Sequence, residues 1–169
     1  ALWRSTVADA VAHKRRFSLR CAWALTVVLY VSPLCALSST FFTVRVIHHL
    51  ALVLVMAPLL VFGLAPWLRR LPAPLWSTTA IATMIFWTWH APAPYAAALS
   101  SDLIYALMQF TLLASAMGFW IAVRRTSPTA AMGAILVTTV LMGLLGALIT
   151  FAARPLYAPH FASTLRWGV

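Results

Sequence analysis

The chain has 169 residues, of which 63% are hydrophobic and 8% are charged, and its formal net charge is +10. A soluble domain of this length needs far more charge on its surface, so the composition excludes a soluble globular protein and indicates that lipid covers much of the exterior. The basic residues lie between apolar segments, which favours a role in membrane topology and gives no reason to expect a nucleic-acid partner.

The predicted elements begin with a basic, amphipathic N-terminal segment, residues 1–20, which we expect on the membrane surface. Five apolar segments follow, each close to the roughly 20 residues that a helix needs to cross a membrane. They cover about residues 21–37, 42–64, 76–95, 103–123 and 130–153. The expected fold class is therefore all-α: an integral membrane bundle of about five transmembrane helices over residues 21–160, followed by a C-terminal tail, residues 161–169.

The basic residues are distributed unevenly between the two sides of this bundle. Nine of the twelve lie in the N-terminal segment and in the pairs at 69–70 and 124–125, and three lie on the other side, at Arg45, Arg154 and Arg166. The side that carries more Lys and Arg normally stays in the cytoplasm. We therefore predict that the N-terminus lies inside and the C-terminus outside.

With this orientation, the polar residues of the spans collect in the outer half of the membrane. Ionisable residues inside a membrane are costly and usually face the interior of a bundle or a cavity, so we expect a polar pocket that faces outward. Its predicted members are Arg45, His48, His49, His90, Tyr95, Asp102, Tyr105, Gln109, Arg154, Tyr157 and His160.

Helical spacing separates the two adjacent histidines of the second span. One face of the helix, at spacing i, i+4, i+7 and i+11, carries Arg45, His49, Leu52 and Met56. His48 points about 100° away from this face. We therefore expect His49 to face the bundle interior, and His48 to bond to another helix or to meet the lipid interface.

His49, His90 and Cys35 are the candidate metal ligands. Pro92 interrupts the helical hydrogen-bond ladder after His90, so a freed carbonyl and an imidazole are expected to lie together. Imidazole combined with a thiolate from Cys35 would suit copper, and no other cofactor is indicated. The alternative is that the histidines make structural hydrogen bonds and that Cys35 is an inert apolar residue, and the pattern leaves both interpretations open.

Three motifs occur in order across about residues 37–160. They are HHLALVLVMAPLLVFG at 48–63, WTWHAPAPYAAAL at 87–99 and GLLGALITFAARPLY at 143–157. Their order and spacing resemble those of CtaG-like cytochrome c oxidase assembly proteins, including that family's W-x-W-H-x-P-x-x-Y-x-x-A-L segment. With five predicted spans against about seven in the family, the chain resembles a shortened and degenerate member.

The ligand positions that the resemblance implies are only partly kept. Arg45 occupies the place of a family histidine four residues before His49, and His48 occupies that of a glutamine. Tyr105 and Gln109 stand where the family has an H-x-x-x-H pair. A guanidinium cannot ligate a metal, so we expect Arg45 to contact an anionic group or a carbonyl instead.

The resemblance implies a role beside a haem-copper oxidase, in the bacterial cytoplasmic (inner) membrane. One hypothesis is a non-enzymatic protein associated with the oxidase, as an assembly factor or a derived accessory subunit. The alternative is an active copper chaperone that delivers copper from the outer, periplasmic side. Expected partners are membrane lipid and subunits of the oxidase or a related respiratory complex. No nucleophile–base pair or carboxylate pair is visible, so no enzymatic activity is expected.

Overall fold

The computed structural model describes residues 2–32 and 42–152, and all the elements in these two ranges are helices. The N-terminal part is α1 (Leu2–Thr26), which continues into a π-helical segment, π1 (Val27–Val31). The next helix consists of α2 (Phe42–Leu50), a second π-helical segment, π2 (Ala51–Met56), and α3 (Ala57–Gly63). The remaining elements are α4 (Ala65–Leu68), α5 (Leu75–His90), α6 (Pro92–Ser100), α7 (Asp102–Val123) and α8 (Pro128–Thr150). The predicted all-α class is confirmed.

Within residues 2–32 and 42–152, three helices are long and apolar enough to cross a membrane: Thr43–Gly63, Asp102–Val123 and Pro128–Thr150. They coincide with the second, fourth and fifth predicted spans. The third predicted span is divided between α5, which has 16 residues, and α6, because Pro92 cannot continue the hydrogen-bond ladder. The first predicted span extends past the described residues. The protein is thus a helical membrane protein, whereas the five-span topology and its orientation stay predictions.

Helix α1 runs without a break through the predicted boundary at residue 20 and packs against α3. The hydroxyl of Ser18 donates a hydrogen bond of 2.8 Å to the carbonyl of Leu59. A Cβ added to Gly63 would lie 2.5 Å from the side chain of Leu19, so only glycine permits this close approach without a shift. The end of the basic segment is therefore packed into the helical bundle.

The π-helical segment π2 follows from Pro58, which has no N–H to donate to the ladder. The amide of Ala57 donates to the carbonyl of Leu52, five residues earlier, so the Val53 carbonyl lacks the donor that an α-helix would provide. The indole Nε1 of Trp120 donates to that carbonyl instead, at 2.8 Å. The Trp120 side chain therefore supplies the hydrogen bond that the π-helical turn lacks, and it joins this turn to α7.

Helix α7 is central to the bundle and packs against α3, α5 and α6. The buried core beside it contains Leu52, Ala98, Met108 and Leu112. Helix α8 packs mainly on α5, and only 11% of its most apolar part is buried, against 39% for α7. Most of the surface of α8 is therefore left uncovered by the other described helices.

Candidate functional site

Polar side chains from α2, α5, α6 and α7 meet at the end of the bundle where α6 connects α5 to α7. We call this group the polar cluster. Its members are Arg45, His48, His49, His90, Tyr95, Tyr105 and Gln109. Ala91 is extended and Pro92 begins α6, so the chain turns between α5 and α6 and brings their ends beside the start of α7.

Arg45 is the most deeply buried charge in the described part of the chain, with 2% of its surface exposed. Its guanidinium carbon lies 4.3 Å from the ring centroid of Tyr95 and 6.0 Å from that of Tyr105. Two such cation–π contacts partly compensate for the lost hydration of the guanidinium. The terminal nitrogens Nη1 and Nη2 are nevertheless buried without a hydrogen-bond acceptor among the described residues.

No acidic side chain of this chain neutralises Arg45. The sequence contains two acidic residues, Asp9 and Asp102, and both are exposed. Asp102 was expected in the pocket, but the structure places it in the first turn of α7, outside the contacts that define the polar cluster. There its negative charge is stabilised by the N-terminal end of the helix and by its exposed position.

Both adjacent histidines are buried, each with 3% of its surface exposed, so His48 does not meet the lipid interface. The ring of His48 meets that of Tyr30 in π1 edge-on at 5.4 Å, and the ring of His49 meets that of His90 in α5 at 5.6 Å. The 100° rotation between them still points both inward, because helices pack on both sides of α2. The predicted interior face is confirmed, since Arg45, Leu52 and Met56 are also buried.

His90 is stacked on Phe86, with 4.2 Å between the ring centroids, and its Nδ1 lies 2.7 Å from the Phe86 carbonyl. Pro92 has no N–H for the Thr88 carbonyl, which accepts instead from the amide of Ala91 at 3.1 Å. The imidazole of His90 therefore meets the Phe86 carbonyl and not the Thr88 carbonyl. The expectation that a carbonyl freed by Pro92 lies beside the imidazole is therefore wrong.

Of the candidate metal ligands, His49 and His90 are brought together. Among the described residues, no group of three or more His, Cys, Asp or Glu side chains is arranged to hold a metal ion. Cys35, Arg154, Tyr157 and His160 lie outside the described residues. Two imidazoles next to a guanidinium form a polar contact more readily than a cation site, because the positive charge of Arg45 repels a metal ion.

Two residues at the cluster were missed by sequence reasoning. Tyr30 donates from its hydroxyl to Oε1 of Gln109, at 3.4 Å, and so joins the first helix to α7. A tyrosine within an apolar span is the signal that would have found it. Phe86 precedes His90 by four residues, a spacing at which side chains on a helix meet.

The family of the cytochrome c oxidase caa3 assembly factor (Caa3_CtaG) matches residues 1–169. No curated protein and no solved structure matches the chain. Two of the motifs that suggested this family, at 48–63 and 87–99, carry the histidines of the polar cluster. Because the match extends over its whole length, the chain belongs to the family of cytochrome c oxidase caa3 assembly factors.

Proposed function

We propose that this protein is a non-enzymatic component of the bacterial cytoplasmic membrane that binds subunits of a haem-copper oxidase through the polar cluster. It acts there as an assembly factor or as a derived accessory subunit. The observation that carries the proposal is the guanidinium of Arg45, which is buried and has no carboxylate partner in the part of the chain that the structure describes.

A buried charge is costly unless it is paired and hydrogen-bonded. The tyrosine rings and a side-chain hydrogen bond with Tyr95 offset part of this cost for Arg45, but none of these contacts supplies the negative charge of an anion. With both acids of the chain exposed, a side-chain carboxylate for Arg45 has to come from another protein.

The test is gentle detergent purification through this chain, with the co-purifying oxidase subunits quantified. We expect stoichiometric subunits with the wild type and a loss on the order of 3–5 kcal/mol in complex stability with Arg45→Gln. Arg124→Gln is the matched control, because Arg124 also faces a ring, that of Phe62 at 5.2 Å, but is exposed. Equal recovery from Arg45→Gln and the control would refute the role of Arg45.

A second candidate function, delivery of copper from the outer side, is favoured by the meeting of His49 and His90. Their ring centroids are 5.6 Å apart with an angle of 79° between the planes, and imidazole suits copper. Against it stand Arg45, one helical turn away, and the lack of a third ligand among the described residues.

Copper content of the isolated chain separates the two candidates. About one equivalent that is lost in both His49→Ala and His90→Ala would support copper handling. On the first proposal the wild type binds no stoichiometric copper, and Arg45→His loosens the complex without creating a strong metal site. Cys35→Ser tests the predicted soft ligand in the same assay.

A further inference from the structure

An open cavity of about 160 Å³ lies at the end of the bundle opposite the polar cluster, between the end of α7 and the segment formed by α3 and α4. Three of its wall residues are arginines, because Arg69 directly follows α4, and Arg124 and Arg125 directly follow α7. The other wall residues are Val61, Ala65, Leu68 and Ile121. The side chains of the wall are therefore apolar except for three guanidinium groups.

The three arginines differ in their contacts. Nη1 and Nη2 of Arg125 donate to carbonyls of α4 and of the residues after it, at 2.7 and 2.6 Å, and so hold α4 beside the end of α7. Arg69 and Arg124 are exposed, and within the described residues their guanidinium groups make no hydrogen bond or ion pair. Arg124 lies over the ring of Phe62, at 5.2 Å. Two accessible guanidinium groups beside one cavity can therefore bind an anion.

The acidic residues of the chain leave this positive charge unbalanced. Asp102 begins α7, so it lies about 30 Å from the opposite end of that helix. Asp9 is exposed on α1 and makes no ion pair within the described residues. The carbonyl of Arg15 lies 3.5 Å from a Cβ built on Gly63, which brings the basic stretch of α1 to the same end of the bundle. Positive charge is therefore concentrated around the cavity.

A shallow apolar groove of about 320 Å³ lies beside the same arginines, between α1 and the second helix. Its wall consists of Ser18, Leu54, Val55, Pro58, Leu59 and Phe62. Because Arg124 lies over the ring of Phe62, the groove ends beside the cavity. From Leu54 to Phe62 the groove is about 12 Å long at helical rise. The hydroxyl of Ser18 already donates to the Leu59 carbonyl, so the groove suits a hydrocarbon chain.

Two exposed tryptophans indicate the depth of the cavity in the membrane. Trp67 directly precedes Leu68 of the cavity wall and is 74% exposed, and Trp76, in the first turn of α5, is 59% exposed. Exposed tryptophans are typical of the headgroup level of a membrane. The arginines therefore lie at headgroup depth, and the groove follows a membrane-spanning helix from there into the hydrocarbon.

We propose that the cavity and the groove together bind one anionic phospholipid, with its phosphate at Arg69 and Arg124 and one acyl chain in the groove. Basic pockets between membrane helices bind such headgroups. The polar cluster lies about 20–30 Å away along α7, so the site does not depend on Arg45. Lipid binding and recovery of the oxidase subunits are therefore separate measurements, and either proposal can fail alone.

The probe is phosphatidylglycerol, titrated onto the delipidated full chain in detergent at about 0.15 M salt and counted by native mass spectrometry. At this ionic strength, charges more than about 8 Å apart are largely screened, so the assay reports local contacts. We expect one saturable phosphatidylglycerol per chain, bound at least about tenfold more tightly than phosphatidylcholine, whose headgroup carries no net charge. Equal binding of the two lipids would overturn the proposal.

Arg69→Gln should weaken the binding of phosphatidylglycerol about tenfold, because it removes a charged hydrogen-bond donor. Arg70→Gln is the matched control, since Arg70 is adjacent and exposed but outside the cavity wall, and it should change the affinity less than about twofold. Equal losses in both variants would show a diffuse attraction of anions and overturn the proposal. Loss of oxidase subunits with Arg69→Gln at unchanged lipid affinity would assign the arginines to a protein partner and overturn it as well.

The groove is tested with Val55→Trp, which fills it and should weaken the binding of phosphatidylglycerol at least about fivefold. Ile47→Trp, at an exposed position of the same helix outside the groove, is the control and should keep the affinity. Val55 is itself 48% exposed, so both variants should keep the helical circular dichroism of the wild type. Full affinity in Val55→Trp, or displacement of the lipid by an equal concentration of inorganic phosphate, would show an anion site without an acyl chain and contradict the proposal.

Discussion

Two arginines near opposite ends of α7 illustrate what burial does to the same side chain. Arg125 is exposed, and its Nη1 and Nη2 donate to the carbonyls of Leu71 and Leu68, at 2.7 and 2.6 Å. Arg45 is buried against two tyrosine rings, and its Nη1 and Nη2 have no acceptor among the described residues. The first completes the end of the short helix α4, whereas the second keeps hydrogen-bond donors available for a partner.

The difference shows that the contribution of a guanidinium to stability depends on its hydrogen bonds and on its burial together. An exposed guanidinium gains little from its contacts, because water competes for the same donors. A buried guanidinium without an anion destabilises the isolated chain, and the cost is recovered only when an acceptor arrives. The polar cluster is therefore the part of this bundle whose stability should depend most on association.

The largest expected effect is a difference in cysteine labelling between the two sides of the membrane. It tests which side Arg45 faces. After Cys21 and Cys35 are replaced by alanine, Ser100→Cys should react fully with an impermeant thiol reagent from outside, and Arg70→Cys should not react. Reaction of both positions after permeabilisation is the control. The reverse pattern would place Arg45 on the cytoplasmic half and contradict the predicted topology.

Arg45→Met should change the stability of the isolated chain and the stability of the oxidase complex in opposite directions. In the isolated chain, removal of a buried charge without an anion should stabilise the fold by about 1–4 kcal/mol, although it weakens the complex with the oxidase. Unfolding in mixed detergent micelles, followed by helical circular dichroism, measures the first effect. Arg124→Met, at an exposed position, should change little. Destabilisation by Arg45→Met would mean that the tyrosine rings fully compensate the charge.

An intermediate loss of stability is expected when the hydrogen bond to the Val53 carbonyl is removed. Trp120→Phe removes the donor of the Val53 carbonyl and should destabilise the bundle by about 1–3 kcal/mol. Trp67→Phe, at a position with 74% exposure, is the control. Pro58→Ala restores the missing amide, so Trp120→Phe should cost less in that background. Additive effects in the same unfolding assay would disprove this account of π2.

The smallest effect is expected at the exposed arginine. Arg125→Gln removes both hydrogen bonds to the end of α4 but leaves carbonyls that water can reach, so the loss should stay within about 1 kcal/mol. Arg125→Lys should recover part of it. A loss as large as that of Trp120→Phe would show that the carbonyls of Leu68 and Leu71 are not accessible to water.

Several features of the site were predictable because they depend on helical geometry. The face that carries Arg45, His49 and Leu52 follows from the period of the helix, and their burial follows from the cost of polar groups in hydrocarbon. The meeting of His49 with His90 required in addition that the second and third predicted spans be neighbours. The motifs at 48–63 and 87–99 suggested the family, which the match over the whole chain confirms.

The sequence by itself determined that the chain is a helical membrane protein, because it has few charges and because its long apolar segments need lipid around their surface. It also determined where the ladder is interrupted, since Pro58 and Pro92 lack an N–H wherever they lie. Only the tertiary structure decided that His48 is buried, that Asp102 stays exposed and that Trp120 bonds to π2. These outcomes depend on which helices pack on each side of α2 and α7, and helical period contains no information about those neighbours.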